Sequence, residues 1–460
     1  MQPIIDILGR DNVLSDPAAT NRYLTDWRGR FTGQADAVVT PTTIEQIQQL
    51  VLQARKHGYF LTPQGGNTSL VGGATPLRDG RKNIVVSLEK MNRIIAIDPI
   101  NRSAEVQTGV ILAALQDQLA AERLQFPLQL TPRERVQIGG AIASNAGGLN
   151  VLRYGMMRDM VLGVEAVLGT GEIYRQMRPL RKNNLGLAVG ELLLGSEGTL
   201  GIITSAQLRL FPKAPHQQIF WLGLPDFTAA QNIYQLASQH WPDGFTACEY
   251  MNRESLRVLR DFKPNLQEEF ALRHPHYLLL QFEGESIQHL RELATTIAAK
   301  IPTGAEIFHT SRQHEAETIW SWRKSIPAAE KNQGYSVKTD LSLPLSAWPD
   351  FLSAAETALR QVEPDLQIVA LGHLGDGNLH FNLRPKDIVW DNYDAYAKKF
   401  QAVIYPILDR LNGSPAAEHG VGQLRRDEAT QFLDPAARSL MRRIKAVFDP
   451  DGIMNPGKVV

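Results

Sequence analysis

The chain has 460 residues, too many for one ordinary core, so two or three domains are expected. Its 43% hydrophobic and 21% charged content is that of a globular protein, and 48 basic residues balance 48 acidic ones, which speaks against nucleic acid or a strongly anionic membrane as partner. The start, Met1-Gln-Pro-Ile-Ile-Asp6, lacks the pattern of a signal peptide, the uncharged stretch Val136 to Leu152 is too polar to span a membrane, and Cys248 stands alone, so a cytoplasmic enzyme is expected.

In chain order, the first 30 residues, within an N-terminal segment 1–34, carry a weak helical pattern. Ala37-Val-Val39 reads as a strand, and Thr42-Thr-Ile-Glu45 as the capping box of a helix that Gly58 closes. Strands are expected at Tyr59–Thr62, Ile84–Leu88, Ile94–Asp98 and Ala104–Gln107, and a helix near Leu112–Arg123. A βαβ start followed by strand-rich sequence predicts an α+β fold rather than a doubly wound sheet. The pattern breaks at Phe211-Pro-Lys-Ala-Pro215. Beyond it, helices at Phe227–Gln239, Ser286–Ala299 and Trp348–Val362 alternate with strands such as Tyr277–Phe282.

Two features carry chemistry. The first is a set of Gly-rich blocks at Gly65–Gly73, Gly139–Gly148 and Gly195–Gly201. Such blocks let backbone N–H groups approach a pyrophosphate, and two of them suit one long dinucleotide cofactor. For any single block, glycines that merely serve turns are the competing reading. No G-x-G-x-x-G occurs, so a Rossmann NAD site has no support. Gly452–Lys458 matches G-x-x-x-x-G-K, but Val459 replaces the Ser/Thr and Pro456 sits inside the loop, which excludes a P-loop.

The second feature is His373-Leu-Gly-Asp-Gly-Asn-Leu-His380, followed at a distance by Glu418-His419. Gln367–Leu371 and Leu379–Leu383 read as the strands of a hairpin, with His373 and His380 opposite each other and Asn382 on the same face. Two imidazoles and a carboxylate can hold one metal ion with coordination positions left open. Spacing alone leaves this reading and that of ordinary hydrogen-bonded hairpin histidines equally open.

Taken in order, Pro63–Gly73, Gly139–Gly148, Gly195–Thr204, Trp320–Lys324, Lys338–Pro344, His373–Asn382, Glu418–Gly422 and Asn455–Lys458 resemble the vanillyl-alcohol oxidase/p-cresol methylhydroxylase superfamily, in its D-2-hydroxyacid dehydrogenase branch. The likeness covers about residues 35 to 460 and is strongest to members that oxidise D-2-hydroxyglutarate, with those acting on D-lactate or glycolate nearby. It implies a two-part FAD-binding domain over 35–213, a substrate domain with the metal site over 214–420, and a C-terminal segment, 421–460, returning to the flavin. FAD contacts would come from Pro63, Gly65, Gly66, Asn67, Thr68, Ser69, Gly139, Gly140, Ala141, Ser144, Asn145, Gly147, Glu197, Gly201, Ile202 and Asn455. Asn67 stands where some members carry a flavin-linked His, which implies non-covalent FAD.

By the same resemblance, His373, His380 and Glu418 would hold a divalent metal, with Zn²⁺ first in line. Arg323 and Lys338 would grip substrate carboxylate, Asn382 would contact substrate, and His419 would be the base. Pro327 departs from the pattern, standing where hydroxyglutarate enzymes usually have a Thr, so the D-2-hydroxy acid (D-2-hydroxyglutarate, D-lactate or D-malate type) stays open. The expected electron acceptor is an electron-transfer flavoprotein or a quinone rather than NAD, and a homodimer is left open. The rival readings are a non-redox flavoenzyme of the superfamily and a flavin subunit of a glycolate oxidase-like complex.

Overall fold

The structure, a computed structural model, describes residues 1–263, 266 and 272–459. The chain forms two compact units. The first takes Met1–Gly148, Gly155–Lys213 and Glu418–Val460, and the second Leu149–Tyr154 and Ala214–Ala417.

In the first unit, strands Ala37–Val39, Asn83–Ser87 and Phe60–Gln64 run parallel, with Val13–Leu14 antiparallel on the edge. The crossover between the first two parallel neighbours in sequence is the helix Ile44–His57. Its Ile47, Leu50, Val51 and Ala54, spaced at helical intervals, are fully buried against Val39, Ile84 and Val86. The helix caps one residue later than the sequence suggests. Thr43, not Thr42, accepts from Gln46 N at 3.3 Å, because Ile44 enters the core as the first helical residue, and Gln46 Oε1 accepts back from Thr42 N. Gly58, at φ 69°, closes the helix.

A second, antiparallel sheet in this unit orders Ile94–Asp98, Ser103–Gln107, Gly201–Arg209, Val161–Leu168 and Ile173–Gln176. The Gly139 block is not a plain loop. Ile138–Ala143 is a short helix, since its small residues pack tightly: a Cβ on Gly139 would lie 2.7 Å from Thr108 Cβ. The C-terminal segment pairs with the free side of Phe60–Gln64. Leu61 N donates to Ile453 O (2.8 Å) and Asn455 N to Leu61 O (2.7 Å), which satisfies a sheet edge that would otherwise be open.

The second unit is an antiparallel sheet in the order Glu306–Thr310, His216–Leu224, His276–Gly284, Phe245–Asn252, Gln367–His373, Asn378–Arg384 and Leu341–Ser342. Helices Arg253–Phe262 and Gln313–Asn332 pack on it, burying Leu256, Val258, Leu259, Ile319, Ile326 and Ala329 against Met251, Leu279 and Leu371. Both units mix helix with sheet, as an α+β fold requires. Among the described residues no helix is long and apolar enough to cross a membrane.

Candidate active site

The hairpin forms, with a different register from the expected one. His373 pairs with Asn378, and His380 with Leu371, so the two imidazoles are diagonal neighbours rather than opposite. The reason is the turn. Leu374–Asp376 makes one 3-10 turn closed by Gly377 at φ 85°, and Asn378 already belongs to the returning strand. With a side-chain period of two, both rings still share a face, 5.7 Å apart and edge to face.

Behind them stand carboxylates that the sequence did not single out. Glu249, across the strands from His373, is fully buried, and its Oε1 lies 2.5 Å from His373 Nδ1. A carboxylate can only accept, so Nδ1 carries the proton and Nε2 is the acceptor nitrogen of the ring. Glu249 Oε2 accepts from Arg323 Nε at 2.7 Å. Burial alone would raise the Glu249 carboxyl, but His373 and Arg323 together hold it below the usual carboxylate range. Asp340, also fully buried, lies 3.8 Å from His380 Nδ1 and accepts from Asn378 Nδ2 at 2.9 Å.

The expected carboxylate-gripping residues lie in the same unit. Arg323 spends Nε on Glu249, while neither Nη has a protein acceptor among the described residues. Lys338 Nζ lies 2.7 Å from Glu330 Oε1. Asn382 is engaged at both ends, donating to Glu330 Oε2 at 3.0 Å and accepting from Thr339 N at 3.4 Å. Arg323, Pro327 and Glu330 fall at helical spacing on Gln313–Asn332, with Pro327 exposed between two buried residues. A charged residue inside an apolar strand, as Glu249 is in Phe245–Asn252, was the signal that could have found this network.

The expected flavin residues lie in the other unit. From Gly65 to Leu70 no backbone N–H donates to a protein acceptor among the described residues, and the buried oxygens Asn67 Oδ1 and Gln137 Oε1 also have no partner. Gly65 approaches the Gly139–Gly140 turn closely, since a Cβ on it would lie 3.3 Å from Gly140 N. A Cβ on Gly66 would lie 1.8 Å from Arg135 O. This run of free donors on a glycine backbone fits a pyrophosphate. Thr68 lies within the run. Asn67, at φ 53°, turns its amide to Arg22 O and Thr25 O. Ser69 Oγ accepts from Val71 and Gly73 N, and Ser144 Oγ donates to Gly140 O, so both hydroxyls brace their own turns. Asn145 Oδ1 accepts from Arg158 N. Ala141 and Gly147 are buried, Pro63 lies in the parallel sheet, and Gly201 and Ile202 begin a strand of the antiparallel one.

Glu197 and Asn455 form a knot in this unit. Glu197, at φ 50°, donates its N–H to Ala143 O (2.7 Å), while its carboxylate accepts from Val421 N (2.7 Å) and Gly422 N (3.0 Å). Burial raises its carboxyl against the pull of those N–H groups and of Lys458 and Arg425. Asn455 Nδ2 donates to Glu197 O and Gly73 O, and Lys458 Nζ to Asn455 Oδ1 at 2.7 Å. Glu418 and His419 begin the last segment of this unit, directly after Ala417, whose N–H donates to Asp340 O. The segment bends there, and His419 Nε2 lies 3.5 Å from Glu418 Oε1.

Lys458 is 1% exposed, and burial pulls its ammonium from 10.5 down to about 7, opposed by Glu197. Between those values the unfolded chain holds a proton that the folded one lacks, so this group's contribution to stability rises with pH across that window. Thermal unfolding at about pH 7 and about pH 9 should show wild type gaining on Lys458→Met as pH rises. A gap independent of pH would contradict this.

Comparison with known proteins finds two family models in succession along the chain. Residues 35–176 match the FAD binding domain, and residues 213–459 match the C-terminal domain of FAD linked oxidases. A D-2-hydroxyglutarate dehydrogenase of Stutzerimonas stutzeri is 33% identical over 97% of this chain and 96% of its own. A putative mitochondrial D-lactate dehydrogenase of Schizosaccharomyces pombe is 31% identical over 100% of this chain and 90% of its own. Among solved structures, p-cresol methylhydroxylase with substrate bound superposes with a TM-score of 0.76 at 19% identity, covering 100% of this chain and 95% of that one. An alkyldihydroxyacetonephosphate synthase gives 0.75 at 19% identity, over 99% and 84%. At that identity these two structures speak to the fold alone. With an FAD-binding domain followed by the family's own C-terminal domain, the chain belongs to the FAD-linked oxidase family.

Proposed function

We propose that this FAD-dependent dehydrogenase oxidises a D-2-hydroxy acid to the 2-oxo acid with the help of a divalent metal, Zn²⁺ first in line, and passes the electrons to an acceptor other than NAD. The observation that carries the reading is the clamp on Glu249. One buried carboxylate accepts from His373 Nδ1, which leaves Nε2 as the acceptor nitrogen of that ring, and binds Arg323 through Nε, so that neither Nη is spent on it. The first is how a protein prepares a metal ligand, the second how it prepares to receive a carboxylate. Relatives named for D-2-hydroxyglutarate and D-lactate oxidation support the substrate class.

FAD, when bound, supplies the two-electron acceptor for the hydrogen on C2. Asn67 turns its side chain toward residues 22 and 25, which supports non-covalent binding. A divalent ion on His373, His380 and Glu418 would supply Lewis acidity toward a hydroxyl and carboxylate. His419 takes the hydroxyl proton. The Arg323 Nη groups bind the acid's carboxylate, with Lys338 as a second cation, and Asn382 supports that cation through Glu330. An electron-transfer flavoprotein or a quinone would reoxidise the flavin.

The first test is anaerobic bleaching of the flavin band by D-2-hydroxyglutarate, D-malate, D-lactate, glycolate and the L-acids, with and without a chelator. Fast, chelator-sensitive bleaching by a D-acid is expected. Bound flavin that no acid bleaches would overturn the reading. His419→Ala should slow bleaching by about 10²–10⁴-fold with FAD content intact. Glu249→Gln should weaken Zn²⁺ by about 10–100-fold in a competitive chelator titration, and an unchanged affinity would remove its orienting role. Arg323→Lys loses the planar fork, so KM should rise more for a dicarboxylate than for D-lactate. Equal rises would argue against a distal-carboxylate contact.

A further inference from the structure

Glu197 lies in a Gly-rich segment expected to line the flavin, yet its carboxylate faces the protein. It accepts from Val421 N at 2.7 Å and from Gly422 N at 3.2 and 3.0 Å through its two oxygens. The same backbone stretch carries His419 two residues earlier. Gly420 runs so close that a Cβ there would lie 2.7 Å from Glu197 Oε1, and Gly422, at φ 50°, would meet Val71 O at 2.2 Å. Gln423 and Leu424 N donate to Val71 O, so the stretch is held on its far side as well. Glu197 is itself fixed at three points: its N–H on Ala143 O, its C=O under Asn455 Nδ2, and Gly73 against its carboxylate, where a Cβ would lie 2.6 Å from Oε2. Positive φ at Gly195, Glu197 and Gly198 lets the chain turn sharply enough for one residue to make all these contacts.

We propose that Glu197 is a positioning residue, a clasp that binds the backbone just after His419 and so sets where that imidazole stands relative to the flavin-binding turns. The assignment rests on His419 being the base. A carboxylate suits the task because it takes several N–H donors at once, in charge-assisted bonds about twice as strong as neutral ones. Glutamine keeps the shape and removes the charge. The clasp would act on turnover through His419 and leave cofactor retention to the Gly65–Leu70 donors.

Two measurements test it on the FAD-loaded enzyme. In hydrogen exchange, the Val421 and Gly422 amides should be protected in wild type and exchange about 10–100-fold faster in Glu197→Gln. Unprotected wild-type amides would overturn the clasp, even where the variant cannot be made. In rapid reduction, Glu197→Gln should slow flavin bleaching at saturating substrate by a similar factor while FAD content and substrate affinity hold. The Glu197→Gln/His419→Ala double variant should then be no slower than His419→Ala, because one residue acts through the other. Additive losses, or loss of FAD from Glu197→Gln alone, would make Glu197 a flavin contact and end the proposal. Should His419→Ala bleach at the wild-type rate, the base assignment fails instead, and the exchange result alone decides the clasp.

Discussion

A carboxylate with no exposure cannot stay charged without partners, and Glu249 is such a group on the central strand of the second unit. Its two partners come from different elements. His373 comes from the neighbouring strand and Arg323 from the long helix Gln313–Asn332. Removing either would leave a buried charge half compensated, at a cost of about 3–5 kcal/mol, so strand, helix and hairpin are fixed against one another by more than apolar packing. The consequence is chemical as well as structural, because Glu249 occupies one nitrogen of each partner, His373 Nδ1 and Arg323 Nε.

The same physics recurs with different partners. Glu330, 4% exposed, lies between Lys338 and Asn382 and thereby joins the helix to the strand Asn378–Arg384. Asp340, fully buried, binds Asn378 and lies beside His380. In the flavin unit Glu197 accepts backbone N–H groups and feels Lys458 and Arg425, and Asp449 combines the N–H groups of Ile453 and Met454 with the Lys445 ammonium.

Much of this was legible in the sequence, and the gaps have physical causes. The crossover helix was readable because Ile47, Leu50, Val51 and Ala54 repeat at its period and Gly58 ends it. His373 and His380 were readable as neighbours on one face of a hairpin because glycines mark the turn between them. Their exact pairing was not, because a 3-10 turn takes residues that a tight two-residue turn would have left to the strands. The helix inside the Gly139 block was not readable, since small residues serve a close-packed helix as well as a loop. Glu249 carries a local signal, an acid inside an apolar strand, but nothing local pairs it with an arginine 74 residues away, and Glu330, near the end of one helix, has no local pattern at all. Only the sheet register and the helix face bring them to the cations they neutralise.

That neutralisation bears on how the proposed substrate would be held. Arg323 and Lys338 each carry a positive charge that a buried carboxylate already matches. An arriving 2-hydroxy acid therefore finds hydrogen-bond geometry at Arg323 without an unmatched charge, and geometry alone repays little of an anion's desolvation. A divalent ion on the adjacent histidines would supply the missing charge where the C1 carboxylate and hydroxyl converge. On this reading metal and arginine divide the work, one meeting charge and the other fixing orientation. Pro327, lacking both hydroxyl and N–H on the helix face between Arg323 and Glu330, adds no third contact, so any preference for a dicarboxylate rests on the two Nη groups of Arg323 and on Lys338.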